Sequence, residues 1–222
     1  TQAVTYIVQR IESIATLFYI LSSCFFIKYK LSNEKKYYFL TFLFTILACF
    51  SKEIAFTLPV MFIIIDYYFF SDNIKELLKN WKILISFFAI YLIPIFLYKK
   101  ESLKMREYEE LLAPIQYLIT QFKVILIYIK LLFFPVNQNL DYDIIPSKTI
   151  FEFQTLIGFI IILAFLIFAV YIFKKNRLAS FGIIWFFVLI SVTSTIIPIR
   201  DLIFEHRIYG AILGFALITT II

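Results

Sequence analysis

The chain has 222 residues, 62% of them hydrophobic and only 16% charged, with a net charge of +6 and mean hydropathy of +0.91. A water-soluble domain of this length has too little interior to hide so much apolar surface, which excludes an ordinary soluble enzyme. The excess of Lys and Arg then belongs to membrane topology rather than to nucleic-acid binding.

In hydrocarbon the backbone must satisfy its own hydrogen bonds, so spans are helices or a closed barrel. The apolar runs here are continuous over about 15–20 residues, which predicts helices. Residues 3–27 open with the polar Gln9, Arg10 and Glu12 and turn apolar from Ser13. A short basic loop follows at 28–36, then a second span at 37–50. Ser51-Lys52-Glu53 interrupts the run, and a third span at 54–70 contains Pro59. A mixed loop at 72–82 leads to a fourth span at 83–98 and a highly charged segment at 99–112.

Residues 115–134 differ. Gln116, Thr120, Gln121, Lys123, Tyr128 and Lys130 punctuate an apolar pattern, which predicts an amphipathic helix lying in the membrane interface. A polar, proline-bounded loop at 135–146 carries Asp141 and Asp143. Further spans are predicted at 153–173 and 180–197, separated by Lys174-Lys175-Asn176-Arg177, and an apolar run begins again at Tyr209. The fold class expected is all-α: a polytopic transmembrane helical bundle of about six full spans plus a truncated last one. It is expected to form a single domain over 1–222. Thr1 and the short final apolar run lead us to expect cuts at both ends, with a loop before residue 1 and further domains after residue 222. Cys24 and Cys49 lie inside apolar runs and read as core residues with no disulfide.

With the helix at 115–134 lying flat, alternating spans put the loops 28–36, 71–82 and 174–177 on one side. That side holds ten Lys and Arg against four acids; the other holds eleven against eleven. The first is expected to be cytoplasmic. Lys52-Glu53, the Asn139–Asp143 loop, Arg200–Arg207 and the N-terminal polar turn then share the opposite face, where one aqueous cavity can collect them.

The densest cluster is Arg200, Asp201, Glu205, His206 and Arg207, which includes the only histidine. Each charge costs roughly 2.5–3.5 kcal/mol at the centre of a span, so the cluster sits at an interface or in a polar cavity. If helical, Asp201 and Glu205 share a face, and Arg200 and Arg207 flank Phe204. Each candidate also has a plainer reading: a charged collar at a helix end, an interfacial turn at 51–53, turn carboxylates at Asp141 and Asp143. His206 with scattered carboxylates lacks the spacing of a metal site. Neither a glycine-rich phosphate loop nor a nucleophile elbow is present.

Four stretches together resemble the GT-C type of membrane glycosyltransferase. They are Thr1-Gln-Ala-Val-Thr-Tyr-Ile-Val-Gln-Arg-Ile-Glu-Ser-Ile-Ala-Thr-Leu-Phe-Tyr19, Ser51-Lys-Glu-Ile-Ala-Phe-Thr-Leu-Pro59, Leu131-Leu-Phe-Phe-Pro-Val-Asn-Gln-Asn-Leu-Asp-Tyr-Asp143 and Phe204-Glu-His-Arg-Ile-Tyr209. The set is most similar to the TMTC-like protein O-mannosyltransferases, whose membrane part is followed by tetratricopeptide repeats. The resemblance implies transfer of a mannose-like hexose from a polyprenyl-phosphate donor to a hydroxyl acceptor, on protein Ser or Thr or on a glycan. It implies an integral membrane enzyme with an extracytoplasmic site, in the plasma membrane if the source is bacterial. It also implies that the principal catalytic base, a carboxylate of the first extracytoplasmic loop, lies before residue 1.

Inverting transfer needs a base for the acceptor proton and positive charge on the departing phosphate. Lys52, Arg200 and Arg207 are the expected phosphate cations. Glu53 and Glu205 are expected to orient them or a divalent metal, the one cofactor left open. Gln9, Arg10, Asp141, Asp143 and His206 are expected to contact sugar or acceptor. The competing expectation is a transporter or flippase for a lipid-linked anionic sugar.

Overall fold

The computed structural model describes residues 9–71, 87, 90, 112–136, 138, 139 and 142–220. Among them every regular element is helical. They fall into two compact units, one within Ile7–Tyr108 and one within Glu109–Ile222.

In the first unit, α1 (Arg10–Ser32) and α2 (Lys35–Ser51) form a tight antiparallel hairpin. Asn33 ends α1 in the left-handed conformation (φ 55°), which asparagine tolerates better than most residues, and its N–H closes on the Tyr29 carbonyl. A 3₁₀ turn (Glu53–Thr57) then feeds α3 (Leu58–Phe69), where Pro59 sits in the first turn and its missing N–H costs nothing.

The buried face of α1 is polar for a helix: Glu12, Thr16, Tyr19, Ser22 and Ser23 are inside, while Ile11, Ile14 and Leu17 are about half exposed. That is the inverse of a soluble helix and suits lipid outside and small polar residues between helices. Ser22 Oγ meets Thr45 Oγ1 at 2.8 Å and the Thr41 carbonyl at 3.0 Å, and the Tyr19 hydroxyl meets Thr57 Oγ1 at 3.0 Å. An ion pair closes each end of α1. Glu12 pairs with Lys52 at one end, and Lys30 with Asp66, at 2.7 Å, at the other. Eighteen residues of helix between Glu12 and Lys30 rise about 27 Å, close to the roughly 30 Å of a bilayer core.

The second unit holds α4 (Pro114–Phe133), α5 (Phe153–Ile172), α6 (Arg177–Ser191), a 3₁₀ turn (Glu205–Ile208) and α7 (Ile212–Thr219). α4 does not lie across α5; the two run side by side and parallel. Gly158 approaches Phe122 so closely that a Cβ would stand 2.2 Å from its carbonyl oxygen. One helical stretch further on, Ile129, Leu132 and Phe133 share a groove with Phe165 and Phe168. Parallel neighbours need a return between them, and residues 134–152 supply it: the Ser147 N–H reaches back to Thr120 Oγ1 at 2.9 Å. The amphipathic pattern of 115–134 is thus met by protein on its polar face, which buries Tyr117, Thr120, Gln121 and Tyr128. The helix expected at 115–134 is present as α4, and it packs along α5.

α6 returns antiparallel to α5, with Ser180 Oγ donating to the Ala169 carbonyl at 2.7 Å. It ends at Ser191, short of the expected 197, because β-branched residues and Pro198 take over. α7 packs back on α6 through the close pair Gly182 and Gly214.

Among the described residues three helices, α1, α4 and α5, are long and apolar enough to cross a membrane, consistent with an integral membrane protein. The expected count of six is not reached. α2, α3 and α6 have 17, 12 and 15 residues, and the span expected at 83–98 lies almost wholly outside the described residues.

Candidate functional site

Between α6 and α7 the chain runs irregularly down one face of α4, held by three side chains. The Tyr117 hydroxyl donates to the Thr193 carbonyl at 2.7 Å. Gln121 Nε2 donates to the Leu202 carbonyl at 3.2 Å, and its Oε1 accepts from Ser194 Oγ at 3.0 Å. The Tyr128 hydroxyl both accepts from the Phe204 N–H and donates to its carbonyl, each at 3.1 Å. These bonds satisfy backbone that no helix or sheet serves.

The 3₁₀ turn Glu205–Ile208 is the destination of this segment, and its three ionisable residues are all buried. Glu205 faces the return segment: its Oε1 accepts from the Asn139 N–H at 2.8 Å and from the Tyr142 hydroxyl at 2.5 Å. Burial, and secondarily the bond to Glu205, push the Tyr142 phenol up to about 12. His206 stacks on the Phe204 ring with centroids 4.9 Å apart. Arg207 donates to the carbonyls of Asp201 (3.0 Å) and Leu202 (3.4 Å), lies over the Phe204 ring and stands close to the hydroxyls of Tyr117 and Tyr128. Among the described residues no carboxylate is paired with it. Arg200 and Asp201 are exposed.

Glu205 and His206 line a pocket of about 250 Å³, with Gln138 and Tyr209 as further polar walls. Leu132 and Phe215 belong both to this pocket and to an adjoining groove of about 160 Å³. Except for Thr219, that groove is walled by hydrocarbon and aromatic side chains, among them Phe133, Phe165, Phe186 and Phe187. A small, mainly apolar chamber that carries Glu205, His206, Gln138 and Tyr209 in its wall therefore opens beside a wholly apolar slot.

The Asn139–Asp143 loop and the Arg200–Arg207 cluster are thus brought together, through Glu205. Asp143 is exposed at its edge, and Asp141 lies outside the described residues. Lys52 and Glu53 belong to the other unit. There Lys52 is held by Glu12, not by the neighbouring Glu53 expected to orient it. Arg10 is exposed, and Gln9, half-buried, precedes α1. No group of three His, Cys, Asp or Glu gathers to hold a metal among the described residues.

Sequence reasoning gave no role to Tyr142, Lys30 and Asp66, and it put Glu12 in the N-terminal polar turn without pairing it with Lys52. The signal for Asp66 was available, as a lone carboxylate in an apolar run needs a partner. Nothing local marks Tyr142, whose partner is 63 residues away. Comparison of the chain with family models, with curated proteins and with solved structures returned no match.

Proposed function

We propose that this chain is the membrane part of an enzyme that moves a hexose from a polyprenyl-phosphate donor to a hydroxyl acceptor, such as a protein Ser or Thr. The observation that carries this reading is a chamber with Glu205 and His206 in its otherwise mainly apolar wall, joined at Leu132 and Phe215 to a wholly apolar slot. An amphiphile with a long apolar chain and a polar reacting head fits that pair, and a free sugar nucleotide does not need the slot.

The irregular backbone supports the same reading. Within a membrane, non-helical chain is tolerated where protein serves its backbone or where it lines a cavity: Tyr117, Gln121 and Tyr128 bond the backbone of Thr193, Leu202 and Phe204, and Pro135 and Gln138 line the chamber. Arg207, buried with no carboxylate paired to it among the described residues, and the exposed Arg200 are the positive charges offered to the donor phosphate. Lys52 is the weakest of the three expected cations because Glu12 already neutralises it. In this reading the chain forms about six full spans plus a truncated last one. Lys174, Lys175 and Arg177 face the cytoplasm, and the 147–152 and 193–200 ends of the second unit face outward.

A transporter of a lipid-linked anion is the second reading. It is favoured by the polar seam of α1, where hydroxyls run inward from the Glu12–Lys52 pair towards the Lys30–Asp66 pair. The two separate in one experiment. Full-length protein in proteoliposomes is given radiolabelled polyprenyl-phosphate mannose and a Ser/Thr-rich peptide. Label on the peptide supports the transferase. Movement of the intact lipid across the bilayer without transfer supports the transporter. Neither outcome with correctly folded protein overturns both.

A further inference from the structure

One buried hydroxyl of the first unit departs from its neighbours. Ser23 Oγ donates to the carbonyl four residues back at 3.0 Å, and Thr41 and Thr45 do the same at 2.8 Å. Ser22 and Tyr19 bond across to Thr45 and Thr57. Thr16 is buried like them, at 6% exposure, yet its Oγ1 has no hydrogen-bond partner among the described residues. The hydroxyl is therefore not turned back onto the Glu12 carbonyl, the common course for a threonine inside a helix. Its burial then leaves it facing the space between the helices.

Two polar groups flank it on the same face of α1. Glu12, with Lys52 on its carboxylate, lies one turn before. Tyr19 lies one turn after, and a long helical side chain leans back towards the N-terminus, which brings its phenol over the turn that holds Thr16. The offsets along the axis are about 6 and 4.5 Å, close to the span that one bridging water covers. Beyond Ser23 the polar groups stop. Phe26, Phe62 and Phe87, each at most 1% exposed, gather with ring centroids 4.7–6.2 Å apart between this seam and the Lys30–Asp66 pair.

We infer that the first unit holds an internal water site at Thr16, the inner part of a polar recess that opens beside Lys52 and is closed by the three phenylalanines. A buried water needs two to four polar partners, and the Thr16 hydroxyl, the Glu12 carboxylate and the Tyr19 hydroxyl supply them. Water enters from the Lys52 end, where that side chain is 18% exposed, and does not run through to Lys30. The site stands apart from both readings of the second unit.

The test uses full-length protein in lipid nanodiscs, briefly irradiated with X-rays. Hydroxyl radicals formed at a bound water oxidise the side chains beside it, and mass spectrometry locates the oxidised residues. Tyr19 is fully buried, so radicals from bulk water do not reach it. Tyr19 is expected to be oxidised in the wild type and in T16S, which keeps the hydroxyl, and several-fold less in T16V. Phe26 and Phe62 are expected to stay unmodified. T16V, close to threonine in shape, is expected to melt about 2–4 °C lower, the effect of one satisfied hydrogen bond lost in a chain of this size. Unmodified Tyr19 in the wild type, or equal oxidation in T16V, overturns the water site. A T16V protein that melts higher also overturns it, because the hydroxyl would then be buried without any partner. Oxidised Phe26 overturns the closed end. Should T16V fail to fold, Tyr19 in the wild type decides.

Discussion

The Tyr142 hydroxyl donates to Glu205 Oε1 at 2.5 Å, tying the return segment after α4 to the turn before α7. A hydrogen bond to a charged acceptor contributes about 1.5–3 kcal/mol. Tyr142 is half-buried, so Y142F is expected at the low end of that range, as a lower melting temperature in detergent. In an E205Q background the same substitution should cost clearly less, because the charged acceptor is already gone. Equal costs in the two backgrounds would show that the contact carries no coupling.

Lys52 and Glu12 come from positions forty residues apart, and Glu12 is only 2% exposed. Removing the lysine leaves a buried carboxylate without its ammonium. K52A is expected to destabilise by about 3 kcal/mol. The double variant E12Q/K52Q, which removes both charges, should be milder. Thermal unfolding of the three proteins decides, and a double variant worse than K52A would refute the pairing.

At Gly158 a Cβ would meet the Phe122 carbonyl oxygen at 2.2 Å, and this oxygen is backbone that cannot swing away. G158A must push α4 and α5 apart, an overpacking cost of about 1–3 kcal/mol. The expected result is a lower melting temperature and weaker lipid retention, since both helices wall the apolar slot. A neutral G158A would mean that the two helices do not meet there.

Glu152, just before α5, accepts from the Lys148 N–H at 2.7 Å, and chiefly this bond holds its carboxyl below the usual carboxylate range. A lowered folded value means that the stabilisation is present above the unfolded value and is lost as pH falls through the folded one. Wild-type protein should therefore lose a small increment of stability as acid protonates Glu152. E152Q should lack that increment at neutral pH and show a flatter acid limb. An identical acid limb in both proteins would count against the bond.

Much of this was legible because lipid imposes simple rules. The continuous apolar runs gave helices, and the cluster at 200–207 had to lie at an interface or in a polar cavity, since five ionisable groups need water or partners; Arg200 and Asp201 are exposed, and Glu205, His206 and Arg207 are buried. The course of α4 was not legible. A helix with one polar stripe looks the same whether the stripe faces headgroups or a neighbouring chain, and Tyr117, Gln121 and Tyr128 spend their polar atoms on residues 193–204 instead of water. Partner choice was hidden too. Glu53 is adjacent to Lys52 in sequence, but a residue directly following cannot share its direction at a helix end, whereas Glu12 arrives from α1.

The parallel arrangement of α4 and α5 makes a prediction that a simple alternating topology forbids. In a chain that crosses once per helix, Ala113 before α4 and Glu152 before α5 would lie on opposite sides. With parallel helices they share a side, and Lys175 beyond α5 lies on the other. Single cysteines at 113, 134, 152 and 175, in a full-length background with Cys24 and Cys49 replaced by serine, are labelled with an impermeant thiol reagent from each side in turn. We expect 113 and 152 to react from one side and 175 from the other. Position 134, at the far end of α4, should react from the side of 175 or stay shielded in the bilayer. Reaction of 134 together with 113 and 152 would restore the flat interfacial helix. Reaction of 113 and 152 from opposite sides would separate α4 from α5, and with them two walls of the apolar slot.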